Sequence, residues 1–595
     1  MIQSGKIQKL AAELIALAVF LAPLVYLFWP MILSPNNTYI NGYFIPGHLW
    51  SWNLMANGLI QTGQLVIETN VVNYPIGGSL TLIGWSFILP LTVFLKLGVG
   101  LILAVNILLL LHLFLACSFA YRLALKMTGI RSVSIVAGVA FGYSPFALSM
   151  LWSGQVPKLS YWLIPASLLL LVNIIEKGRS FHILLLGAAA GLCLASSPYV
   201  GIVNLIFIGA AGIVYCFLSW NRKGETTSKK WLAWSALSII LGILPFTIYW
   251  FYSHSIISQS DCLLVPEGLN LDEISVYNHA TWLDWFLPGK KELTCYFKMV
   301  YMSWTLIIWG MFSLIFKRKV SGQIKNSNLP FVLYFFLMGV VFVLISVGPL
   351  YRFLPMYWVY KLMPLTKMFA VSYRAAIGVT LCLAMLTALG LVSFNKQMRF
   401  PRWGIVPVSI VALLMFLTES YFIAPVNLSL PFETVTVPIV YKDLAQTKDG
   451  GAVMEVPAAM HPEGLLFNQT MHNHPILHRD GLTSTLQMEK FCWELYMALG
   501  NTDELREVSD KSSRTVNFHY LVLNENLVPP ERKRGVLEFL DNSLKLVRQY
   551  PKEGYRLYRS YDPPGTTQNL TNDAPTFYRN PDLPKLTQLA TSPLN

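Results

Sequence analysis

The stretch 99–131, VGLILAVNILLLLHLFLACSFAYRLALKMTGIR, decides the class of this protein. Residues 99–121 are apolar over the length of about 20 residues that a helix needs to cross a bilayer. Arg122, Lys126 and Arg131 follow at once. Working outward, the same reading predicts spans at 11–34, 99–121, 133–150, 159–175, 181–198, 200–220, 232–252, 299–316, 329–348, 374–394 and 404–423, about 11 transmembrane helices in all. The first is too long for a cleaved signal peptide and reads as a signal anchor.

The basic residues alternate with these spans. Lys6 and Lys9 precede the first. Lys177 and Arg179, then Arg222, Lys223, Lys229 and Lys230, then Lys317, Arg318, Lys319 and Lys325, and last Lys396, Arg399 and Arg402 fill every second connection. Positive charge collects on the cytoplasmic side, so the N-terminus is expected inside and the C-terminal region outside. The segment 80–97 is apolar, short and interrupted by Pro90. Counting it as a twelfth span would put Arg122–Arg131 outside, so it is read as an interfacial helix.

Composition agrees. Of 595 residues, 54% are apolar and 13% charged, against roughly 25% charged in soluble chains. That excludes an ordinary cytosolic enzyme, a disordered chain and a disulfide-rich secreted module. The net charge of +13 sits in the short connections and forms no basic stripe with interleaved aromatics, so no nucleic acid partner is implied. No GxxxxGK[ST] or GxGxxG motif is present.

The expected architecture is an α-helical polytopic membrane domain, 1–424, with outer loops 35–98, 253–298 and 349–373. A C-terminal extracytoplasmic α/β or α+β domain follows at 425–561. Within it, strands are predicted at Ala452–Val456 and Tyr520–Leu523, helices at Leu486–Leu499 and Arg532–Leu540, and a closing strand pair at Leu544–Gln549 and Tyr555–Tyr558. The tail 562–595, rich in Pro, Asn and Thr, is either disordered or an extended arm laid on an envelope partner. Cys117, Cys193, Cys216 and Cys382 fall in spans and are expected to be packing residues. Cys262 and Cys295 share one outer loop and could close it with a disulfide, leaving Cys492 unpaired.

Several motifs run in order along the chain. They are His48-Leu49-Trp50 with Trp52, Asn73-Tyr74-Pro75-Ile76-Gly77-Gly78, and Phe141-Gly142-Tyr143-Ser144-Pro145-Phe146 followed by Ser153-Gly154-Gln155. Asp284-Trp285-Phe286-Leu287-Pro288 and Phe467-Asn468-Gln469-Thr470 leading to His474-Pro475-Ile476 complete the set. With the topology, they resemble the GT-C superfamily of membrane glycosyltransferases, and more closely its bacterial multi-pass members. The resemblance implies a protein of the bacterial inner membrane that transfers a sugar from a polyprenyl-phosphate carrier at the outer face, in some members with a divalent metal. Two departures stand out. GT-C enzymes usually carry an acid just after the first span, as base or metal ligand, but Ser34–Ile67 contains no Asp or Glu. The Arg-x-Pro-x-Arg stretch of related proteins is reduced to Arg374 in Ala370-Val371-Ser372-Tyr373-Arg374.

Sugar transfer needs a base for the acceptor, positive charge for the lipid phosphate and room for the sugar. Glu68 is one candidate base, or else a solvated loop acid. His48 is a second, since a neutral imidazole accepts a proton near pH 7, or else a ring packed among Trp50 and Trp52. Asp284, between Trp282 and Trp285, is a third, or else a turn cap. Arg374 and Lys367 are candidates to hold the lipid phosphate; the plainer reading of Arg374 is a snorkelling side chain. His472, His474 and His478 with Asp480 have ligand types that suit zinc, although the first two would share one strand face and the third need not reach them. The alternative to an enzyme is a non-catalytic GT-C-like subunit or scaffold of an envelope complex, favoured by the acid-free start of the first outer loop. A transporter is disfavoured because the spans carry almost no internal charge.

Overall fold

A computed structural model describes residues 2–40, 45–66, 68–69, 71, 78–79, 83–219, 226–259, 279–288, 300–316, 329–362, 371–399, 401, 404–422, 430–447, 451–456, 462–476 and 519–559. Among them, nine helical stretches are long and apolar enough to cross a membrane. The protein is a multi-pass membrane protein.

Helix α1 (Ile2–Leu27) runs into the short α2 (Trp29–Leu33). Strand β1 (Thr38–Ile40), helix α3 (Ile45–Thr62) and the strand pair β2 (Glu68–Thr69) and β3 (Gly78–Ser79) belong to the first long loop. Helix α4 (Trp85–Lys96) covers the awkward segment 80–97. Its 12 residues extend about 18 Å, well under the hydrocarbon thickness of about 30 Å.

Helix α5 (Leu101–Thr128) is longer than the expected span 99–121 and carries Arg122 and Lys126 within its last turns. The expected span 133–150 is broken into α6 (Arg131–Gly142) and α7 (Pro145–Trp152). Pro145 disfavours helical backbone at Ser144, and the Ser144 hydroxyl caps α7 by accepting from Ala147 N–H at 3.2 Å. Tyr143 donates to the Phe20 carbonyl at 2.6 Å and Tyr161 to the Gly142 carbonyl at 2.8 Å, so the break is pinned from both sides.

A 3-10 segment (Val156–Trp162) leads into α8 (Leu163–Lys177), followed by α9 (Ser180–Ser196), α10 (Pro198–Ser219) and α11 (Thr226–Gln259). Helices α9 and α11 touch through Gly187, Gly191 and Gly242. A Cβ on Gly191 or Gly242 would strike a carbonyl of the facing helix, the close approach that small residues permit in membranes. Next come α12 (Trp304–Ile315), α13 (Leu329–Val347), α14 (Pro355–Leu362), α15 (Ala376–Gln397) and α16 (Ile405–Phe422).

Two expected spans are shorter as helices. Residues 181–198 give the 17 residues of α9, and 299–316 give only the 12 of α12. Helix α12 starts late because Glu419 of α16 caps it. That carboxylate accepts from Tyr301 hydroxyl at 2.5 Å, Ser303 hydroxyl at 2.6 Å, Trp304 N–H at 2.5 Å and Thr305 N–H at 2.9 Å. Cys117, Cys193 and Cys382 are buried as expected, whereas Cys216 lies on an exposed helix face.

Strand β4 (Phe432–Thr434) pairs antiparallel with β1. The C-terminal region then forms α17 (Ile439–Gln446), β5 (Val453–Val456), α18 (Pro462–His472), β6 (Tyr520–Asn524), α19 (Pro530–Ser543), β7 (Lys545–Tyr550) and β8 (Tyr555–Arg559). The four-stranded sheet has the order β5-β6-β8-β7, parallel only between β5 and β6. These strands and α19 fall where the sequence predicts them, to within one to three residues at each end. The predicted helix Leu486–Leu499 lies outside the described residues. Val440, Tyr441 and Leu444 of α17 pack on Val453, Val522 and Leu557 of the sheet.

Candidate functional site

The turn between α7 and the 3-10 segment builds one side of the site. Gly154 takes φ +75°, a conformation that costs a glycine little, and Gln155 N–H closes the turn on the Met150 carbonyl at 2.8 Å. Gln155 is 2% exposed, yet among the described residues neither its side-chain oxygen nor its nitrogen has a hydrogen-bond partner. Lys158 follows, its N–H on the Gln155 carbonyl at 3.1 Å. Its side chain is only half-buried and lies within electrostatic reach of Arg374 and His48.

Arg374 sits in the 3-10 turn Ser372–Ala375 that opens α15. Its guanidinium lies 4.5 Å from the centre of the Tyr199 ring, a cation–π contact. Its Nε is buried without an acceptor among the described residues. The turn is held by a buried relay: His279 Nδ1 lies 2.6 Å from the Ser372 hydroxyl, which donates to the Ser346 carbonyl at 2.9 Å. Gly348, at φ +66°, fits beneath it, where a Cβ would strike the His279 ring. Among the described residues neither Lys158 nor Arg374 is paired with a carboxylate. Two like charges within electrostatic reach of each other repel, so the arrangement favours a nearby anion.

His48, on α3, closes the third side. Its ring stacks on Trp52 with centroids 5.2 Å apart, Trp52 on Phe87 at 4.7 Å, and Phe87 on His112 at 4.0 Å. Trp52 Nε1 donates to the Ile83 carbonyl at 3.0 Å. This column joins α3, α4 and α5. Burial, helped by Lys158, pushes the His48 imidazole down to about 3. It is neutral at pH 7 and a weaker base than its ordinary value suggests.

The other sequence candidates are placed as follows. The backbone of Glu68 pairs with Ser79 across β2 and β3. Asp284 lies within the short 3-10 turn Leu283–Trp285, five residues beyond His279, and accepts from Thr281 N–H at 2.7 Å. Lys367, Cys262 and Cys295 lie outside the described residues, as do His478, Asp480 and the tail 562–595. His472 and His474 do not share a strand face: His472 ends α18, and His474 gives both ring nitrogens to protein, at 2.8 Å from the Gly451 carbonyl and 2.9 Å from the Leu444 carbonyl. Among the described residues no three of His, Cys, Asp and Glu gather as metal ligands, and the two cations of the site oppose a divalent ion.

Lys158 is the residue that sequence reading missed. It stands at the edge of an expected span, and a lone lysine there has the look of a snorkelling side chain. The signal available was its place three residues after the Ser153-Gly154-Gln155 motif.

No protein-family model matches the sequence, and no curated protein matches it significantly. Solved structures do. The oligosaccharyltransferase of Archaeoglobus fulgidus aligns over 89% of this chain and 73% of its own, with TM-score 0.48 and 10% identity. ArnT from Cupriavidus metallidurans aligns over 93% and 98%, with TM-score 0.48 and 12% identity. The arabinofuranosyltransferase AftD from Mycobacteria aligns over 91% of this chain at 16% identity, with TM-score 0.52. The chain has the GT-C fold. It spans 41% of the length of AftD, so the likeness concerns the GT-C architecture and not the whole of that protein. Within that fold, the candidate residues come from the first long loop, the turn after α7 and the start of α15.

Proposed function

We propose that this GT-C protein is a membrane glycosyltransferase that takes its sugar from a polyprenyl-phosphate carrier at the outer face of the membrane. The observation that carries the reading is that Lys158 and Arg374 lie within electrostatic reach of each other with no carboxylate paired to either among the described residues, close in the chain to the buried amide of Gln155. A guanidinium and an ammonium hold a phosphate with charge-assisted hydrogen bonds. A neutral His48 could donate one N–H to the same anion without adding charge. Glu68 and Asp284 are the carboxylates proposed to activate the acceptor, and His48 is the weaker base.

The test is binding of a polyprenyl phosphate to the full chain in nanodiscs. Lys158→Ala and Arg374→Ala are each expected to raise Kd at least about tenfold, or about 1.4 kcal/mol. An unchanged Kd in the double variant would overturn the assignment.

A second reading rests on Asp284, whose carboxylate is engaged by the Thr281 N–H. If neither it nor Glu68 serves as base, the protein binds the carrier without transferring the sugar, as a scaffold within an envelope complex. Wild-type transfer abolished by Glu68→Ala with Asp284→Ala supports the enzyme. Carrier binding with no transfer by the wild type supports the scaffold.

A further inference from the structure

At the end of α15 away from Arg374, a cavity of about 1300 Å³ opens between α1, α6, α15 and α16. The stretch Ser372–Gln397 is 26 residues long, or about 39 Å, so this cavity is separate from the candidate site. One wall is apolar and includes Ile15, Val19, Ile135, Val392, Ile410 and Leu413. Ile15 is 60% exposed and Ile410 51%, so protein leaves this wall uncovered. The other wall carries Arg131, Lys396 and Arg399. Glu13 reaches Arg131 at 3.4 Å, and Lys396 and Arg399 have no ion pair among the described residues. Arg399 holds φ +54°, a backbone conformation that a residue with a Cβ adopts at a cost of roughly 1–2 kcal/mol and that tends to cluster at binding sites. Between the two walls lies Asn395, only 9% exposed, whose side-chain oxygen has no donor among the described residues.

We propose that this cavity binds one anionic glycerophospholipid. An acyl chain lies along the Ile15 and Ile410 wall, apolar surface of two membrane spans that no described helix covers. The phosphodiester lies against Lys396 and Arg399, with Arg131 behind. A hydroxyl of the head group donates to the Asn395 oxygen, an acceptor that is costly to bury unpaired. Charge selects the class of lipid. A zwitterionic head group would bring a fourth positive charge to a cluster that already holds three.

The full-length protein, stripped of lipid in mild detergent, is titrated with phosphatidylglycerol, phosphatidylcholine or inorganic phosphate and followed by native mass spectrometry and thermal unfolding. One phosphatidylglycerol retained per chain and a rise in Tm of roughly 3 °C are expected. Asn395→Leu and the exposed pair Lys396→Gln with Arg399→Gln should each cut retention at least tenfold. Lys177→Gln with Arg179→Gln, basic residues of another connection, should leave it unchanged. Equal retention of phosphatidylcholine, an equal loss in the Lys177 and Arg179 variant, or the same Tm rise with inorganic phosphate alone would overturn the proposal.

Discussion

The His48 ring accepts a proton only near pH 3 in the folded chain, against about 6.5 ordinarily. The unfolded chain therefore binds a proton below pH 6.5 that the folded chain refuses. Its contribution to stability is complete above 6.5 and is lost as pH falls from there toward 3, by at most about 1.4 kcal/mol per pH unit. His472, lowered by burial against the opposing pull of Glu455, acts in the same direction. The protein should be less stable at pH 5 than at pH 7, and His48→Phe should narrow that difference, measured by thermal unfolding in detergent. An unaltered difference in the variant would show that the ring titrates as in water. Arg374 was legible as a lone guanidinium at the head of an apolar run. Lys158 was not, because its role depends on which distant residue faces it.

Within elements, Glu419 is the side chain with most to lose. It is 7% exposed and satisfies two backbone N–H groups and two hydroxyls at the head of α12. It also steadies Ser303, which holds φ +65°. Glu419→Ala should cost about 3 kcal/mol, read as lost thermal stability, while Glu419→Gln should keep part of it. Sequence alone showed an acid near the end of a span and nothing of the helix it caps. The glycine contact of α9 with α11 makes a second expectation. Gly242→Leu should destabilise by about 1–3 kcal/mol through overpacking, whereas Gly209→Leu, where a Cβ meets nothing within 4 Å, should be close to neutral.

At the scale of the whole molecule, the C-terminal region is fastened to the first long loop. Trp50 Nε1 donates to the Gln469 side chain at 2.8 Å, in a buried contact between α3 and α18. Tyr39 packs on Phe467 with centroids 5.9 Å apart, Ile476 N–H donates to the Val71 carbonyl at 2.8 Å, and β1 pairs with β4. Since α3 also carries His48, the C-terminal region and the candidate site meet on one helix. Gln469→Ala and Trp50→Phe should each destabilise, and a double-mutant cycle should give a coupling of about 1 kcal/mol. Hydrogen exchange should rise in both β1 and β4 in the single variants. A rise confined to one of them would mean that the two parts are held independently.

Apolar length, the basic connections and the short strand-forming runs at 453–456, 520–524, 545–550 and 555–559 are local properties. The sequence by itself therefore determined the membrane class, most helices and the C-terminal sheet. The break at Ser144-Pro145 was written locally as well, in the conformational limits that proline imposes on its neighbour. What tertiary structure alone decided are meetings between distant residues: Lys158 with Arg374, His279 with Ser372, Glu419 with the head of α12, and Gln469 with Trp50. Hydrophobic period records which face of an element is buried. It carries no record of which partner lies against that face, and the site is made of such partners.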